Sequence, residues 1–486
     1  MADQTTTTIA SLPAELLGLV FEFCSEIKHL DKIKHKKAQL NEPPWHFISR
    51  GLSPSQRFGS QVDRFKLLKS GVWFPYSHAS VCRYWMEVLS SSPRYWRTII
   101  FHLDSESKPP FDAVSVLSWS KDLPVDIVIV KPDASRAFDI TDYISEKRHV
   151  QTLVDLLSPH IHRCRSIHID VHHSSSLPLI LRDFTRYPSI LESLSLFCDL
   201  NHQILEDEEL SYPIQPEWSE THSTRLRSLV LDGENLPDVT LCSGWLRSQL
   251  ALEQLVLLNY CVIAKSHIHL DHILEAIQNL PNLLRLKFDN VFVRLGSSAV
   301  FTSQIQILHF EHMDALIMDE IFRSCIMNEL HTIHITRCFI RAVPAVSKLV
   351  LEDIDPHVSI TSILQDWEGS HLWIGRCRGF GDSFLDMLRT TSDWDDDEFQ
   401  CPWVETLYLA YLPRFSLKKL KKMIKVRNRF INYDDPNWRT TAPFGPAIRE
   451  LHVVRCDIAE LTQEDMEWFR SRVVTFRYVK QAEPEL

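Results

Sequence analysis

Glycine is scarce in this chain, with 12 in 486 residues. No G-x-G-x-x-G or Walker run occurs. Phosphate-cradling loops need glycine where the backbone approaches the ligand, so no nucleotide or other cofactor is expected. The cysteines number 11, an odd total with no C-x-x-C pair. Such a set suits reduced thiols in an intracellular protein, cytoplasmic or nuclear or both, better than a disulfide framework. No apolar run approaches the ~18 residues of a membrane span. The start, Met1-Ala2-Asp3-Gln4-Thr5, has neither the basic nor the apolar region of a secretory signal. No membrane partner is expected. G-x-S-x-G and H-E-x-x-H are missing too, so no catalytic residue is assigned. The net charge of −11 argues against a general nucleic-acid binder.

What is abundant is apolar: 44% of residues are hydrophobic and 25 are Phe, ample for a large core. These residues recur as apolar-x-x-apolar-x-apolar-x-x-variable. The starts are Cys164, Leu191, Leu226, Leu252, Leu283, Ile305, Leu330, Val346, Gly369 (apolar only loosely), Val404 and Ile448, at steps of 16 to 44 residues. Each unit offers one short strand with alternating apolar residues, such as Leu194/Leu196 or Leu229/Leu231, which cannot bury its apolar side alone. Stacking the units builds a parallel sheet over a shared core, with the return segments outside. Asp271–Leu280 and Asp382–Leu388 read as return helices. Trp96-x-x-Ile99-x-Phe101 already fits the template, and Val125/Ile127/Ile129 reads as an early strand. Cys338, Cys377 and Cys456 fill the last template position. The repeat resembles a leucine-rich repeat, whose consensus ends in Asn or Cys.

The beginning carries a second pattern. Leu12-Pro13-Ala14-Glu15-Leu16-Leu17 opens a segment with Leu12, Leu16, Leu17, Val20 and Phe21 at helical steps, and Pro13 and Glu15 suit its first turn. Val81-Cys82-Arg83-Tyr84-Trp85 and Ser92-Pro93-Arg94-Tyr95-Trp96 follow. A leucine-proline start, a V-C-x-x-W helix and a P-x-x-W exit together resemble an F-box. Further on, Trp119…Leu123-Pro124-Val125-Asp126-Ile127 with His160…Arg163-Cys164-Arg165-Ser166-Ile167 resembles the large fungal F-box families. In the F-box family the two halves lie close in sequence. Here residues 25–77 separate them, and from Lys28 to Lys69 this insert carries ten Lys/Arg against three Asp/Glu. The insert is expected to be a solvated loop, with a nuclear-import or anionic-partner patch as the alternative.

The resemblances imply an α/β fold: a short N-terminal helical F-box over 10–102, then a curved leucine-rich-repeat solenoid over 103–486 with one parallel sheet and outer helices and loops. They also imply a function. The F-box would bind the small adaptor of an SCF-type cullin-RING ubiquitin ligase through Leu12, Pro13, Leu16, Leu17, Val20, Phe21, Val81, Cys82 and Trp85. Through the adaptor the chain would reach the cullin, and the repeats would hold a protein substrate. The alternative is a leucine-rich-repeat scaffold acting outside any ligase.

In such strands the residue between the two buried positions faces the open side of the sheet. The row runs His168, Ser195, Val230, Val256, Lys287, His309, His334, Val350, Trp373, Tyr408 and His452. His309, His334, Trp373, Tyr408 and His452 are the expected substrate-binding residues of a concave face, while the valines suggest that part of it is covered. His267-x-His269-x-x-His272 has metal-like composition without a fourth ligand, and His309 and His312 lie on opposite faces of a strand, so no metal is expected. Lys418, Lys421, Lys422, Lys425 and Arg429 make the basic face of an amphipathic helix, and Asp393–Glu398 is an acidic run.

Overall fold

The computed structural model describes residues 12–25, 74–103, 112–131, 140–184, 190–200, 225–233, 235–241, 244–261, 268–296, 299–390, 399–433, 435, 437–438 and 447–480. The chain divides into two compact units, Met1–Glu253 with Leu258–Tyr260, and Gln254–Leu257 with Cys261–Leu486. The basic insert from Lys28, the acidic run 393–398 and His267 lie outside the described residues. No helix among those described is long and apolar enough to cross a membrane.

The first unit opens with helices α1 (residues 14–25), α2 (Tyr76–Ala79) and α3 (Arg83–Ser90) and a tight turn, Pro93–Trp96. Strand β1 (Thr98–His102) follows, then helix α4 (Ala113–Trp119), β2 (Val125–Val130), α5 (Ile140–Leu157), β3 (Cys164–His173), β4 (Ser193–Leu200) and β5 (Ser228–Asp232). The strands pair in parallel with their sequence neighbours. One rung runs Ile99, Ile127, Ile167, Leu194 and Leu229, all buried. The alternating apolar pattern fixes this register, because a one-residue slip would turn every one of these side chains outward. Buried Arg163 closes the end of α4: its guanidinium donates to the carbonyls of Leu117 and Leu123 and to the Ser120 hydroxyl. The Leu117 carbonyl at the helix end thus accepts from both Arg163 and the Ser120 hydroxyl.

Strand β6 (Gln254–Cys261) contributes residues to both units. In the second unit helix α6 (Leu270–Gln278) leads to β7 (Arg285–Phe292), the two-residue strand β8 (Phe301–Thr302) and β9 (Ile307–Glu311). Then come α7 (Ala315–Ser324), β10 (Cys325–Ile326, paired only with β8), β11 (Thr332–Thr336), β12 (Lys348–Glu352) and β13 (His371–Gly375). Helix α8 (Asp382–Arg389), β14 (Thr406–Ala410), α9 (Leu417–Arg427), β15 (Glu450–Val454), α10 (Gln463–Arg470) and β16 (Thr475–Val479) complete it. From β7 to β16 the main ladder is parallel and in register. A strand begins two residues after every template start except the first, Cys164, which itself opens β3. The inward pairs, such as Leu286/Phe288, Ile333/Ile335 and Leu407/Leu409, are at most 2% exposed. The return helices cover them, with Phe322 of α7 on Phe310 and Phe469 of α10 on Phe476.

The ladder strands of this unit other than β16 share one backbone signature, just past the strand or, for β7, within it. Asn290, His312, Arg337, Asp353, Arg376, Tyr411 and Arg455 all have φ between 51° and 55°. Left-handed backbone costs a non-glycine residue roughly 1–2 kcal/mol, and here a hydrogen bond offsets it. The amides of His312, Arg337, Asp353, Arg376, Tyr411 and Arg455 each donate to a carbonyl on the next strand, at 2.7–3.2 Å. The ladder therefore continues one rung past β9 and past β11 to β15, and these residues stand in file as a ridge.

Candidate functional site

Helix α1 is too short to hold its shape alone and is fixed by packing. Leu17 and Phe21 turn inward and are fully buried. The Phe21 ring meets Trp85 edge-on at 5.2 Å and lies 6.1 Å from Phe74, which in turn meets Tyr95 at 5.1 Å. The Tyr84 hydroxyl donates to the Leu12 carbonyl at 3.0 Å, and Arg94 pairs with Glu22 at 2.7 Å. Below this layer, buried Trp96 donates to the Leu89 carbonyl and packs on Tyr76 and Trp119. Tyr76 ties the helices to β1: its hydroxyl accepts from the Ile100 amide at 3.1 Å, and burial pushes its pKa up. The expected boundary at 102/103 thus falls inside one packed unit.

The nine residues assigned to adaptor binding separate into two groups. Leu17, Phe21 and Trp85 are core residues that hold the helices together, while Leu12 and Cys82 are half-buried. Pro13, Leu16, Val20 and Val81 are exposed. Two residues that the sequence reading missed join the exposed set. Leu16, Leu19, Val20 and Phe23 stand at i, i+3, i+4 and i+7 on the outer face of α1 at 49%, 60%, 40% and 64% exposure, and Val81 is 58% exposed. Their spacing was available in the sequence, but the packing of Phe21 on Trp85 was needed to tell the outer stripe from the inner one.

The inner row of the second unit is in register as expected, from Lys287 through His309, His334, Val350, Trp373 and Tyr408 to His452. The expectation that its side chains face solvent is corrected. His309, His334, Trp373, Tyr408 and His452 keep 0%, 8%, 1%, 1% and 9% of their exposure. In-register parallel strands bring equivalent rings together: His309 and His334 at 5.6 Å and Trp373 and Tyr408 at 6.2 Å, both tilted, and Tyr408 and His452 stacked at 5.0 Å. The Trp373 ring also lies down over Gly375, where a Cβ would sit 2.2 Å from it. Burial holds the His309 pKa well below the usual histidine value, with Lys287 and His334 adding to the shift.

Among the described residues one group has metal-ligand composition, Asp289, Glu311 and His312. The Lys287 ammonium already fills its centre, 2.8 Å from Asp289 and 2.7 Å from Glu311. Burial works against that ammonium, yet the two carboxylates keep its pKa above the usual lysine value. The cluster is an ion-pair network. His269 and His272 are occupied in capping α6, the His269 amide donating to the His272 ring at 3.2 Å. The template-end thiols of Cys338, Cys377 and Cys456 are buried and donate to the Thr336, Gly375 and Leu409 carbonyls. Burial raises their pKa to about 12, 12 and 11, so they stay protonated.

Neither a family model nor a curated protein matches the chain.

Proposed function

We propose that this chain is an F-box substrate receptor. Its N-terminal helices dock on the adaptor of a cullin-RING ubiquitin ligase, and its leucine-rich repeats hold a protein substrate. One observation supports this most: four apolar side chains of α1, with Val81 in the turn before α3, stay exposed while the inner side of these helices is locked by Phe21, Trp85 and Trp96. Exposed apolar groups gathered on one rigid face mark an interaction surface. The chain contributes no bond-making group in this reading. It acts by tethering, which raises the effective concentration of substrate beside a conjugating enzyme. Because the inner row is packed away, no substrate contact is assigned to it.

Leu19→Asp with Phe23→Asp tests the adaptor contact. Both side chains are exposed, so the fold should hold. Burying each on a partner is worth roughly 1.5–3 kcal/mol, so the pair should weaken adaptor capture by at least about a hundredfold. Affinity purification of tagged full-length chain, read by mass spectrometry, should recover adaptor and cullin with the native sequence and neither with the double variant. Equal recovery from both would end the F-box reading. Partners without adaptor or cullin from the native chain would favour the scaffold.

A further inference from the structure

The strand-end ridge of the second unit changes character at its last three members. Arg376, Tyr411 and Arg455 follow β13, β14 and β15 at one register position, on rungs spaced ~4.8 Å apart. Their amides donate to the Ala410, Val454 and Val479 carbonyls at 3.0, 2.9 and 2.7 Å, which fixes all three backbones. The Arg376 guanidinium lies 5.1 Å from the centre of the Tyr411 ring and that of Arg455 5.8 Å from it. Arg455 also reaches the Tyr411 hydroxyl at 3.4 Å. Two cations are thus held to one phenol, whose electron-rich ring offsets part of their mutual repulsion.

Counter-charge lies mainly on the Arg376 side, where Asp353 on the rung before it is engaged by Arg337 at 2.9 Å, and exposed Asp457 follows Arg455 in its turn. Glu352, itself buried, comes within 3.8 Å of Arg376. No carboxylate among the described residues pairs with Arg455. Earlier on the ridge the pattern is different: His312 pairs with Asp289 at 3.1 Å and Arg337 with Asp353 at 2.9 Å. The same turns carry two further exposed cations, Arg378 and Arg414. Guanidinium forks match the oxygens of carboxylates and phosphates, and a fork pinned on an aromatic ring loses little freedom when it binds.

We propose that Arg376 and Arg455, with Tyr411 between them, form a binding site for an oxyanion, the phosphate monoester or carboxylate of a partner molecule. The site belongs to the second unit and does not depend on the adaptor reading.

Phenylglyoxal labelling of the full native chain, mapped by mass spectrometry, tests it without any substitution. Inorganic phosphate, acetate and sodium chloride are compared at equal ionic strength. Phosphate should slow labelling of Arg376 and Arg455 several-fold over chloride and leave Arg341, 61% exposed, unchanged. Slowing by phosphate alone assigns the phosphate source, and equal slowing by acetate assigns the carboxylate. Labelling that neither anion slows, or that slows equally at Arg341, overturns the proposal. As a second reading, phosphate should raise the melting temperature of the native chain beyond the chloride control, and R376Q with R455Q should abolish that rise. A rise that survives in the double variant would also overturn it.

Discussion

Trp373 shows what one position between two core residues can decide. Its neighbours Leu372 and Ile374 point into the core, so alternation places Trp373 on the other face of the sheet. The structure agrees on the face and differs on the exposure, because the ring folds over Gly375 and packs beside Tyr408. Period two reports which side a residue takes. It does not report what covers that side, which is set by neighbouring strands 35 and more residues away in sequence. Trp373→Ala should therefore behave as a core truncation. It should cost about 3–5 kcal/mol, comparable to Leu407→Ala at about 2–5, when both are followed by denaturant unfolding. A loss below 1 kcal/mol would mean the ring packs against little. The cysteines were more legible. Their place at the end of the template matched the leucine-rich-repeat consensus, and each buried thiol donates to a strand carbonyl.

At the scale of elements, the expected return helices Asp271–Leu280 and Asp382–Leu388 appear as Leu270–Gln278 and Asp382–Arg389. The lysine-rich segment forms Leu417–Arg427, with Leu420, Met423 and Ile424 buried. Its basic face is less uniform than the spacing suggested. Lys419 pairs with Asp386 of α8 at 2.6 Å, and Lys421 pairs with Asp465 of α10. Those partners sit one repeat before and one after, so periodicity within the helix could not reveal them. Strand β16 was not anticipated: its residues are exposed or half-buried, and Arg477 takes the inner-row position, so the apolar template fades there. Asp465 has a second task, accepting from the Thr462 amide at 2.9 Å in a capping box at the start of α10. The Lys421 ammonium and the Thr462 donors pull its pKa down to about 2. A depressed carboxylate contributes stability above its unfolded pKa, ~3.9, and loses it as pH falls toward the folded value. Asp465→Ala should cost about 1 kcal/mol at neutral pH. The gap between native and variant stability should narrow from pH 4 downward; a constant gap to pH 2 would refute the carboxylate's role.

For the whole molecule, the order of strands was readable because each template strand pairs with that of the next repeat, β8 and β10 pairing apart, so repeat spacing maps onto space. The long insert between the two segments that resemble an F-box was the open point. Phe21, just before the insert, packs against Phe74 near its C-terminal end. Replacing residues 28–71 with a short Gly/Ser linker should then leave the helical unit folded, because loop closure depends only weakly on length. Circular dichroism should show an unchanged melt, and adaptor capture should persist if the F-box reading holds. Insoluble product would show that the insert supplies core.

The repeated left-handed turn also separates position from identity. Every strand of the second-unit ladder from β9 to β15 delivers one side chain to the ridge, at a pitch set by backbone hydrogen bonds alone. Exchanging one ridge residue changes a single letter and leaves the spacing of the rest untouched. The ridge therefore reads as a modular register, in which new recognition can be written one repeat at a time.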